Sequence, residues 1–584
     1  MTSRFLLARV TTPLDGPNGA YFGAFPAAYW RHWTHLRTVT LSTRTAGAGQ
    51  LRILRSDASG QSAPVETITV ADSAETVRAL PLGSFEDGGW YWFELSAGLE
   101  LLGATWSADT PPLRASKLTL GTTTMNKPDY VLQTLGALAD APELLAEIDR
   151  ILVIDQGTDR VTAQAGFEEA RSRLDDRLQV IEQANLGGSG GFARAMYEGL
   201  QLPGTGSVLL LDDDVRIDAE SILRLLRFSR YCAEPTIVGG QMLDLAHPTV
   251  LHAFAEIVDR TSLYWGPAFP EQLRHDLATS GLASTPWMHR RLDADYNGWW
   301  MCLIPVEVLR SVGLAAPLFI KWDDAEYGLR AQDAGIATVT LPGAAIWHVS
   351  WLDKDDTQDW QAYYHARNRI VTALLHSSSP RGRAVLRASA NQDVKQLLMM
   401  QYYAITLRHR ALQDVLAGPG GMHEALGSTL PRLREAAARF PEKKVYREGD
   451  RPSTRLGLRH PANADRKFAP RGIRLAGWTA AQVLRHWVRR TPEDALQRPN
   501  LELTRGDATW WVLPRADSVL VPTADGAGLA WYRRDRAQFR RLLTESVRLH
   551  RTLRRSWPRL AEDYRAALPE LTSPETWETT FSGR

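Results

Sequence analysis

The stretch Ser207-Val-Leu-Leu-Leu-Asp-Asp-Asp-Val215 decides the fold of the central part of the chain. Its apolar run, Val208 to Leu211, is typical of a buried parallel strand. Aspartate is a poor strand former, and ligands bind at the carboxyl ends of strands in open α/β sheets, so three aspartates here indicate a ligand site. Alternate residues of an extended segment point the same way, so Asp212 and Asp214 can reach one site while Asp213 faces elsewhere.

Two carboxylates at such a position suit a divalent metal. Mg²⁺ and Mn²⁺ prefer oxygen ligands and typically combine one or two carboxylates with substrate phosphates. The alternative is an acidic turn that also caps the helix predicted to begin near Asp218. The motif alone leaves both interpretations open.

The bulk composition predicts a folded protein of several domains. A chain of 584 residues is too long for one ordinary core. A hydrophobic content of 44% and a charged content of 23% argue against global disorder, and a net charge of +2 argues against nucleic acid as the main partner. Two cysteines, no secretory signal and no apolar run of about 18 residues predict a cytoplasmic protein that is either free or peripheral on a membrane.

The pattern of elements divides the chain into three regions. Residues 1–113 show short alternating strands between turn residues, which predicts a β-sandwich or jelly roll. Residues 114–378 alternate strands with helices, which predicts a mostly parallel, doubly wound sheet. Residues 379–584 read as helical, with one helix from Arg383 to Arg408 and a polar loop at 442–471. Basic helix faces there are either solvated or attracted to anionic lipid.

Three further segments follow predicted strands and are expected to meet the acidic triplet. They are Thr122-Thr-Thr-Met-Asn-Lys-Pro128, Asp155-Gln156-Gly157 and Asn185-Leu-Gly-Gly-Ser-Gly-Gly-Phe192. Glycines allow a ligand to approach the backbone closely, and the N-terminus of a helix favours the binding of phosphate. The glycine segment matches neither the Walker nor the dinucleotide pattern, so by itself it predicts no more than a tight turn. Together the strand ends predict a diphosphate site.

Two downstream motifs offer catalytic and metal-binding groups. Asp323 and Asp324 follow Trp322 and precede a predicted helix, so they either cap that helix or supply a general base beside the metal. His348 stands among apolar residues, where a histidine is either structural or completes a metal shell with two aspartates.

These motifs together resemble those of a known enzyme family. Asp212-Asp-Asp214, Asn185 to Gly191, Trp299-Trp300, Trp322-Asp-Asp-Ala-Glu326 and Trp347-His348 are similar to the motifs of family 2 glycosyltransferases with a GT-A fold. They are most similar to the polymerising galactofuranosyltransferases of mycobacterial cell-wall galactan. The resemblance covers residues 115 to 375 most strongly, and the three-part layout matches as well.

The resemblance implies a role for each matching residue. One departure concerns the family's Thr-Phe-Asn-Arg segment, because Met125-Asn-Lys127 stands here and lysine cannot form arginine's bidentate fork. The resemblance implies that the metal is bound by Asp212, Asp214 and His348, and that the donor is contacted by Lys127, Gln156, Asn185, Asp212, Asp213 and His365. It implies that Asp324 is the general base and that Asp323 orients the acceptor. The implied acceptor contacts are Asp323, Trp299, Trp300, Trp347 and Trp351.

The resemblance also implies a reaction. It predicts an inverting, Mn²⁺- or Mg²⁺-dependent transfer of galactofuranose from UDP-galactofuranose to a lipid-linked galactan, by an enzyme that rests on the inner face of the plasma membrane and forms homo-oligomers. Alternatives of the same class use another sugar, such as rhamnose, or add a single residue. A non-catalytic carbohydrate-binding protein and a nucleotidyltransferase are the alternatives of other classes.

Overall fold

The structure is a computed structural model that describes residues 4–11, 19–115, 117–349 and 356–583. The predicted acceptor residue Trp351 lies outside these ranges. No helix in the described part of the chain is both long enough and apolar enough to cross a bilayer.

The N-terminal region consists of two antiparallel sheets. Their strand orders are β1-β7-β2-β5 and β4-β3-β6. Trp90 and Trp106 are buried core residues, with Trp90 Nε1 donating to the Met288 carbonyl and Trp106 Nε1 to that of Gly23. The elements are β1 (Phe5–Val10), α1 (Gly19–Gly23), α2 (Ala27–Trp33), β2 (Thr38–Gly47), β3 (Gly49–Ser56), β4 (Ser62–Val70), β5 (Ala74–Pro81), β6 (Tyr91–Leu95) and β7 (Leu99–Ala108).

The central region is a mixed α/β unit around one large sheet, with strand order β10-β9-β8-β11-β17-β13-β18-β12 and β14 beside β13. Strands β8 to β11 are parallel, as predicted, but β17 runs antiparallel to both of its neighbours. The elements are β8 (Lys117–Thr124), α3 (Pro128–Ala139), α4 (Pro142–Glu147), β9 (Ile148–Asp155), α5 (Phe167–Leu174), β10 (Leu178–Glu182), α6 (Gly187–Gln201), β11 (Thr205–Leu211), β12 (Val215–Arg216), α7 (Ala219–Tyr231), β13 (Ile237–Asp244), β14 (Leu251–Ala253), β15 (Glu256–Asp259), β16 (Tyr264–Pro267), β17 (Met301–Pro305), α8 (Val306–Val312), α9 (Asp323–Asp333), β18 (Thr338–His348) and α10 (Gln361–His376).

The C-terminal region contains helices and a five-stranded sheet, β19-β23-β22-β21-β20. The sequence analysis predicted helices alone here and assigned β19 and β20 to a loop, because these strands have only two residues each. The elements are α11 (Arg383–Leu398), α12 (Tyr402–Ala417), α13 (Met422–Ala437), β19 (Val445–Tyr446), β20 (Leu458–Arg459), α14 (Gly472–Val488), α15 (Glu493–Gln497), β21 (Leu501–Leu503), β22 (Ser518–Pro522), β23 (Leu529–Arg533), α16 (Arg536–Leu571) and α17 (Pro574–Phe581).

The helix predicted from Arg383 to Arg408 is in fact two helices, α11 and α12. Met400 adopts a left-handed φ of 61°, and the Gln401 amide donates to the Gln396 carbonyl while the Met400 amide donates to that of Leu397. These bonds form a helix-ending motif that glycine usually provides. Because no glycine stands here, the sequence carried no signal of the break.

Candidate active site

Asp212 and Asp214 meet His348 at the carboxyl end of β11. The pairing of β12 with β18 sets Val215 opposite His348, which brings the imidazole to the acidic triplet. His348 Nε2 lies 2.9 Å from Asp214 Oδ1 and 3.3 Å from Asp212 Oδ2. One ligand atom from each of the three residues lies within 4.8 Å of the others, so this group can hold a metal ion.

The second ring nitrogen of His348 favours the metal interpretation. His348 Nδ1 lies 2.6 Å from the carbonyl oxygen of Val349. If Nδ1 donates its proton to that oxygen, Nε2 faces the carboxylates as a potential ligand, which is how metal-binding histidines are commonly oriented. Two carboxylates and one imidazole suit Mn²⁺ or Mg²⁺, with further positions open to water and diphosphate. The residues present therefore fit the expected metal.

Lys127 and Asp213 extend this charged group. Lys127 Nζ lies 2.5 Å from Asp214 Oδ2 and 3.5 Å from Asp213 Oδ1. Lys127 thus contacts both Asp213 and Asp214, while His348 contacts Asp212 and Asp214. Lys127 lies directly beside the predicted donor and metal residues.

Opposite charges dominate the electrostatics of the cluster. Burial lowers the pKa of His348, but the hydrogen bonds and charges of Asp212 and Asp214 outweigh it and raise that pKa to about 10. Burial raises the pKa of Asp214, yet His348 and Lys127 hold it well below its usual range. This end of the site stabilises positive charge, and a divalent metal bound there would take the place of the proton on His348 Nε2.

Gln156 organises the glycine loop that opens α6. Gln156 Nε2 donates to Thr123 Oγ1 at 3.0 Å and to the Gly187 carbonyl at 2.9 Å, while Oε1 accepts from the Leu186 amide at 2.8 Å. Asn185 Oδ1 accepts from the Gly187 amide at 3.0 Å. The structure therefore places both predicted donor residues at this loop. The Gln156 amide is engaged with protein groups, so it shapes the loop.

Asp323 and Asp324 are the first two residues of α9. Asp324 Oδ1 accepts from the Ala325 amide at 2.7 Å, and Oδ2 forms no hydrogen bond with the rest of the described chain. Burial raises the pKa of Asp323, with a further contribution from the charge of Asp324. Burial also raises the pKa of Asp324, and the charge of Asp212 adds to the effect. This pair is disposed to take up a proton.

Trp299 and Trp300 are part of the core. Each is 5% exposed. The Trp299 ring packs edge-on against Phe192 and Tyr327. Trp300 Nε1 donates to the Gly240 carbonyl at 2.8 Å. Neither ring presents an open face for stacking, and their contact with an acceptor stays a prediction.

The remaining predicted residues are Trp347, which precedes His348 in β18, and His365 of α10. Trp347 is half-buried, donates from Nε1 to the Pro248 carbonyl at 2.9 Å and has the Arg216 guanidinium over its ring. His365 lies in α10, where burial and the charge of Lys321 lower its pKa to about 4. His365 is therefore neutral near pH 7.

Glu256 is a candidate that the sequence analysis missed. It is buried in β15, hydrogen-bonds with the side chain of Tyr296, and burial together with the charge of Asp324 raises its pKa to about 8. The available signal was an acid inside the apolar segment Ala253-Phe-Ala-Glu-Ile-Val258. A carboxyl that stays protonated near neutral pH can donate a hydrogen bond to a ligand beside Asp324.

Three family models match the chain. They are Galactofuranosyltransferase 2 N-terminal over residues 9–109, Glycosyltransferase like family 2 over 116–373, and Galactofuranosyltransferase-2, domain 3 over 385–583. The crystal structure of GalNAc-T7 with UDP, GalNAc and Mn²⁺ covers 48% of this chain and 55% of its own, with 12% identity and a TM-score of 0.33, which is too low to support an inference.

Two curated relatives align with nearly the whole chain. The chain is 40% identical over 573 residues to galactofuranosyltransferase GlfT2 of Mycolicibacterium smegmatis, covering 96% of this chain and 88% of that protein. It is 38% identical over 574 residues to galactofuranosyltransferase GlfT2 of Mycobacterium tuberculosis, covering 96% and 89%. Since both relatives span all three matched regions, the chain belongs to the galactofuranosyltransferase GlfT2 family, whose glycosyltransferase domain is of family 2.

Proposed function

We propose that this galactofuranosyltransferase is metal-dependent and inverting, and that it transfers galactofuranose from UDP-galactofuranose to a lipid-linked galactan with formation of β-galactofuranosyl linkages. The observation that carries the proposal is the contrast between two carboxylate groups. Asp212 and Asp214 face the imidazole of His348, and Asp214 also pairs with the Lys127 ammonium, whereas Asp323 and Asp324 have pKa values raised by burial.

The chemistry divides between these two groups. Asp212, Asp214 and His348 would hold the metal, which neutralises charge on the departing diphosphate and so removes the need for a protonating acid. Asp324 Oδ2 takes the proton of the acceptor hydroxyl. The acceptor oxygen then bonds to the anomeric carbon from the face opposite UDP, and the bond to UDP breaks with its electrons remaining on the diphosphate. Inversion follows from this direct attack.

The donor is held by groups already close to the metal site. Lys127 would contact a diphosphate oxygen as a point charge. The backbone of the glycine loop at the start of α6 allows close approach of the nucleotide. Asn185 and His365 would supply the remaining donor contacts.

A mass-spectrometric transfer assay tests the proposal. The purified protein receives UDP-galactofuranose, a short β-galactofuranosyl acceptor with a lipid-like tail, and either Mn²⁺ or Mg²⁺. A ladder of added hexoses supports polymerisation. A single addition supports the one-residue alternative. No product, with the donor intact and UDP-rhamnose or another sugar nucleotide consumed instead, contradicts the proposed donor.

We also infer that the enzyme acts as a peripheral protein at a membrane surface. Residues 466–492 contain seven Lys and Arg residues and no acidic residue. Within them, α14 exposes Ile473, Leu484 and Val488 by 91%, 62% and 52%. These three positions share one helix face, and an apolar face flanked by basic residues is typical of helices that lie on anionic bilayers.

Vesicle sedimentation tests this inference. The Ile473→Ser/Leu484→Ser variant should bind phosphatidylserine-containing vesicles less than the unchanged protein, while Leu102→Ser, a 51% exposed leucine of the N-terminal region, serves as matched control. Equal binding by both variants contradicts the inference.

Size-exclusion chromatography in parallel tests the predicted homo-oligomer. A change of subunit number in the α14 variant, with vesicle binding retained, would make this face a subunit interface.

The division into regions 1–113, 114–378 and 379–584 is likewise part of the proposal. The ranges of the three family models and the separate sheets of the three regions support it. Limited proteolysis should cut first near residues 109–116 and 373–385. A first cut inside the central sheet would argue against these boundaries.

A further inference from the structure

The loop that delivers Asp323 and Asp324 has an unusual backbone. Phe319, Lys321 and Trp322 have φ values of 73°, 67° and 72°. Residues with a side chain rarely adopt this left-handed conformation, which persists only where surrounding contacts enforce it. Contacts from outside the loop must therefore hold residues 318–322 in this conformation. The same contacts fix the position at which α9 begins.

Asn368 of α10 supplies contacts of the required kind. Its Nδ2 lies 2.9 Å from the carbonyl oxygen of Leu318, 2.8 Å from that of Ile320 and 2.9 Å from that of Lys321. The side chain has no exposed surface. One amide nitrogen thus contacts three backbone carbonyl oxygens of the strained loop.

Arg367 fixes which way the Asn368 amide faces. Arg367 Nε donates to Asn368 Oδ1 at 2.8 Å, and Nη2 donates to the Leu318 carbonyl at 2.8 Å. Since a guanidinium can only donate, the amide oxygen must face Arg367 and the amide nitrogen must face the three carbonyls. The orientation follows from hydrogen-bond chemistry alone.

The other side of the loop rests on the glycine segment. The Ser189 amide donates to the Phe319 carbonyl at 3.2 Å. A Cβ at Gly187 would lie 2.1 Å from that same oxygen. The Phe319 ring stacks on Tyr364 with centroids 4.8 Å apart. The loop is therefore held between α10 and the segment assigned to the donor.

We propose that Asn368 is a positioning residue for transfer: its amide holds the loop 318–322 in its left-handed conformation and thereby sets the place of Asp324 relative to the donor. Asn368 touches neither substrate in this account, and the inference rests on the proposed role of Asp324 as base. A carboxylate at position 368 has almost the same shape but presents oxygens to three carbonyls, so the loop must rearrange.

The first experiment uses Asn368→Asp and measures kcat beside the affinity for UDP with Mn²⁺. We expect kcat to fall by about 100-fold, as for a misplaced catalytic group. The Kd for UDP should change by less than about twofold, because the substitution leaves the contacts that bind the nucleotide in place. Gln396→Glu is the matched control, because it also replaces a buried amide that donates to a backbone carbonyl, that of Thr357. The control should keep its kcat.

A rescue experiment separates positioning from general damage. Glycine adopts a left-handed φ without steric cost, so Lys321→Gly should restore roughly tenfold of the activity lost in Asn368→Ala. Lys321→Ala in the same background removes the same ammonium but keeps a Cβ, and it should restore none. Equal rescue by both changes, or an Asn368→Asp enzyme with normal kcat, overturns the inference.

The assay also distinguishes this inference from the proposed function. Asp324→Asn is measured beside the position-368 variants. An active Asp324→Asn enzyme refutes the assigned base, whatever Asn368 does. An inactive Asp324→Asn enzyme together with a fully active Asn368→Asp enzyme refutes the role of Asn368 alone. Parallel loss of kcat and UDP affinity in Asn368→Asp shows collapse of the site and also overturns the inference.

Discussion

The two carboxylate groups of this enzyme have opposite surroundings. Asp214 lies between Lys127 and His348, and its pKa is held below the usual range. Asp323 is buried and Asp324 half-buried at the start of α9, and their pKa values are raised by desolvation. Groups with the same chemistry thus receive different functions from their environment, one suited to holding cations and the other to accepting a proton.

Removal of the proposed base should produce the largest effect. Asp324→Asn keeps the shape of the side chain and its contact with the Ala325 amide but cannot take a proton. General base catalysis contributes about 10²- to 10⁴-fold, so kcat should fall by that factor. Steady-state kinetics of the purified variant check this. Asp140→Asn, an exposed aspartate at the end of α3, is the control. An Asp324→Asn enzyme with unchanged turnover would remove Asp324 as the base.

Loss of the His348 imidazole should weaken metal binding at the other end of the site. His348→Ala removes one proposed ligand, so the Mn²⁺ concentration for half-maximal binding should rise by about 10- to 100-fold, comparable with the effect of disturbing a metal's supporting groups. Calorimetric titration with Mn²⁺ in the presence of UDP provides a readout besides activity. An unaltered titration would reduce His348 to a core histidine.

The charge at position 127 should have a smaller effect, confined to the donor. Lys127→Met removes the cation beside Asp213 and Asp214, so KM for the donor should rise by roughly tenfold, the equivalent of one charge-assisted hydrogen bond. Lys127→Arg tests whether the bidentate arginine that the resemblance implies at this position would serve better. If KM in Lys127→Arg equals or falls below that of the unchanged enzyme, the lysine is a tolerated substitute; a KM that stays the same in Lys127→Met would exclude position 127 from donor binding.

The pH dependence should show the smallest effect. Because burial raises the pKa of Asp324, the base is ionised above that raised value and becomes protonated as pH falls through it. The acid limb of kcat should therefore lie above the usual aspartate range of about 4. Activity in this limb falls as pH decreases. A flat kcat profile down to that usual range would contradict the raised pKa.

The sequence indicated the metal end of the site better than the base end. The acidic strand end and His348 could be identified because each stands in a short apolar segment where a charge is conspicuous. Asn368 was missed because its role depends on the distant carbonyls of residues 318–321. Glu256 was missed although it also stands in an apolar segment, because its role depends on Tyr296 and Asp324, which are distant in the chain. Backbone carbonyls carry no sequence signal.

Some elements of the fold were likewise predictable from the sequence, and others were not. The strand Val208–Leu211 was predictable from an apolar run that the structure buries completely. The antiparallel direction of β17 was not, because strand direction depends on the connection and leaves no periodic trace. Similarly, Trp299 and Trp300 gave no indication of whether their rings face a ligand or the core, and the structure buries both.

A crossed measurement tests the division of the site most directly. Asp324→Asn and His348→Ala are compared for kcat and for Mn²⁺-dependent UDP binding under the same conditions. The account predicts that Asp324→Asn loses kcat and keeps UDP affinity, whereas His348→Ala loses UDP affinity in a way that added Mn²⁺ partly restores. If Asp324→Asn weakens UDP binding as much as His348→Ala does, the two carboxylate groups form one binding unit, and the separation of a metal end from a base end is wrong.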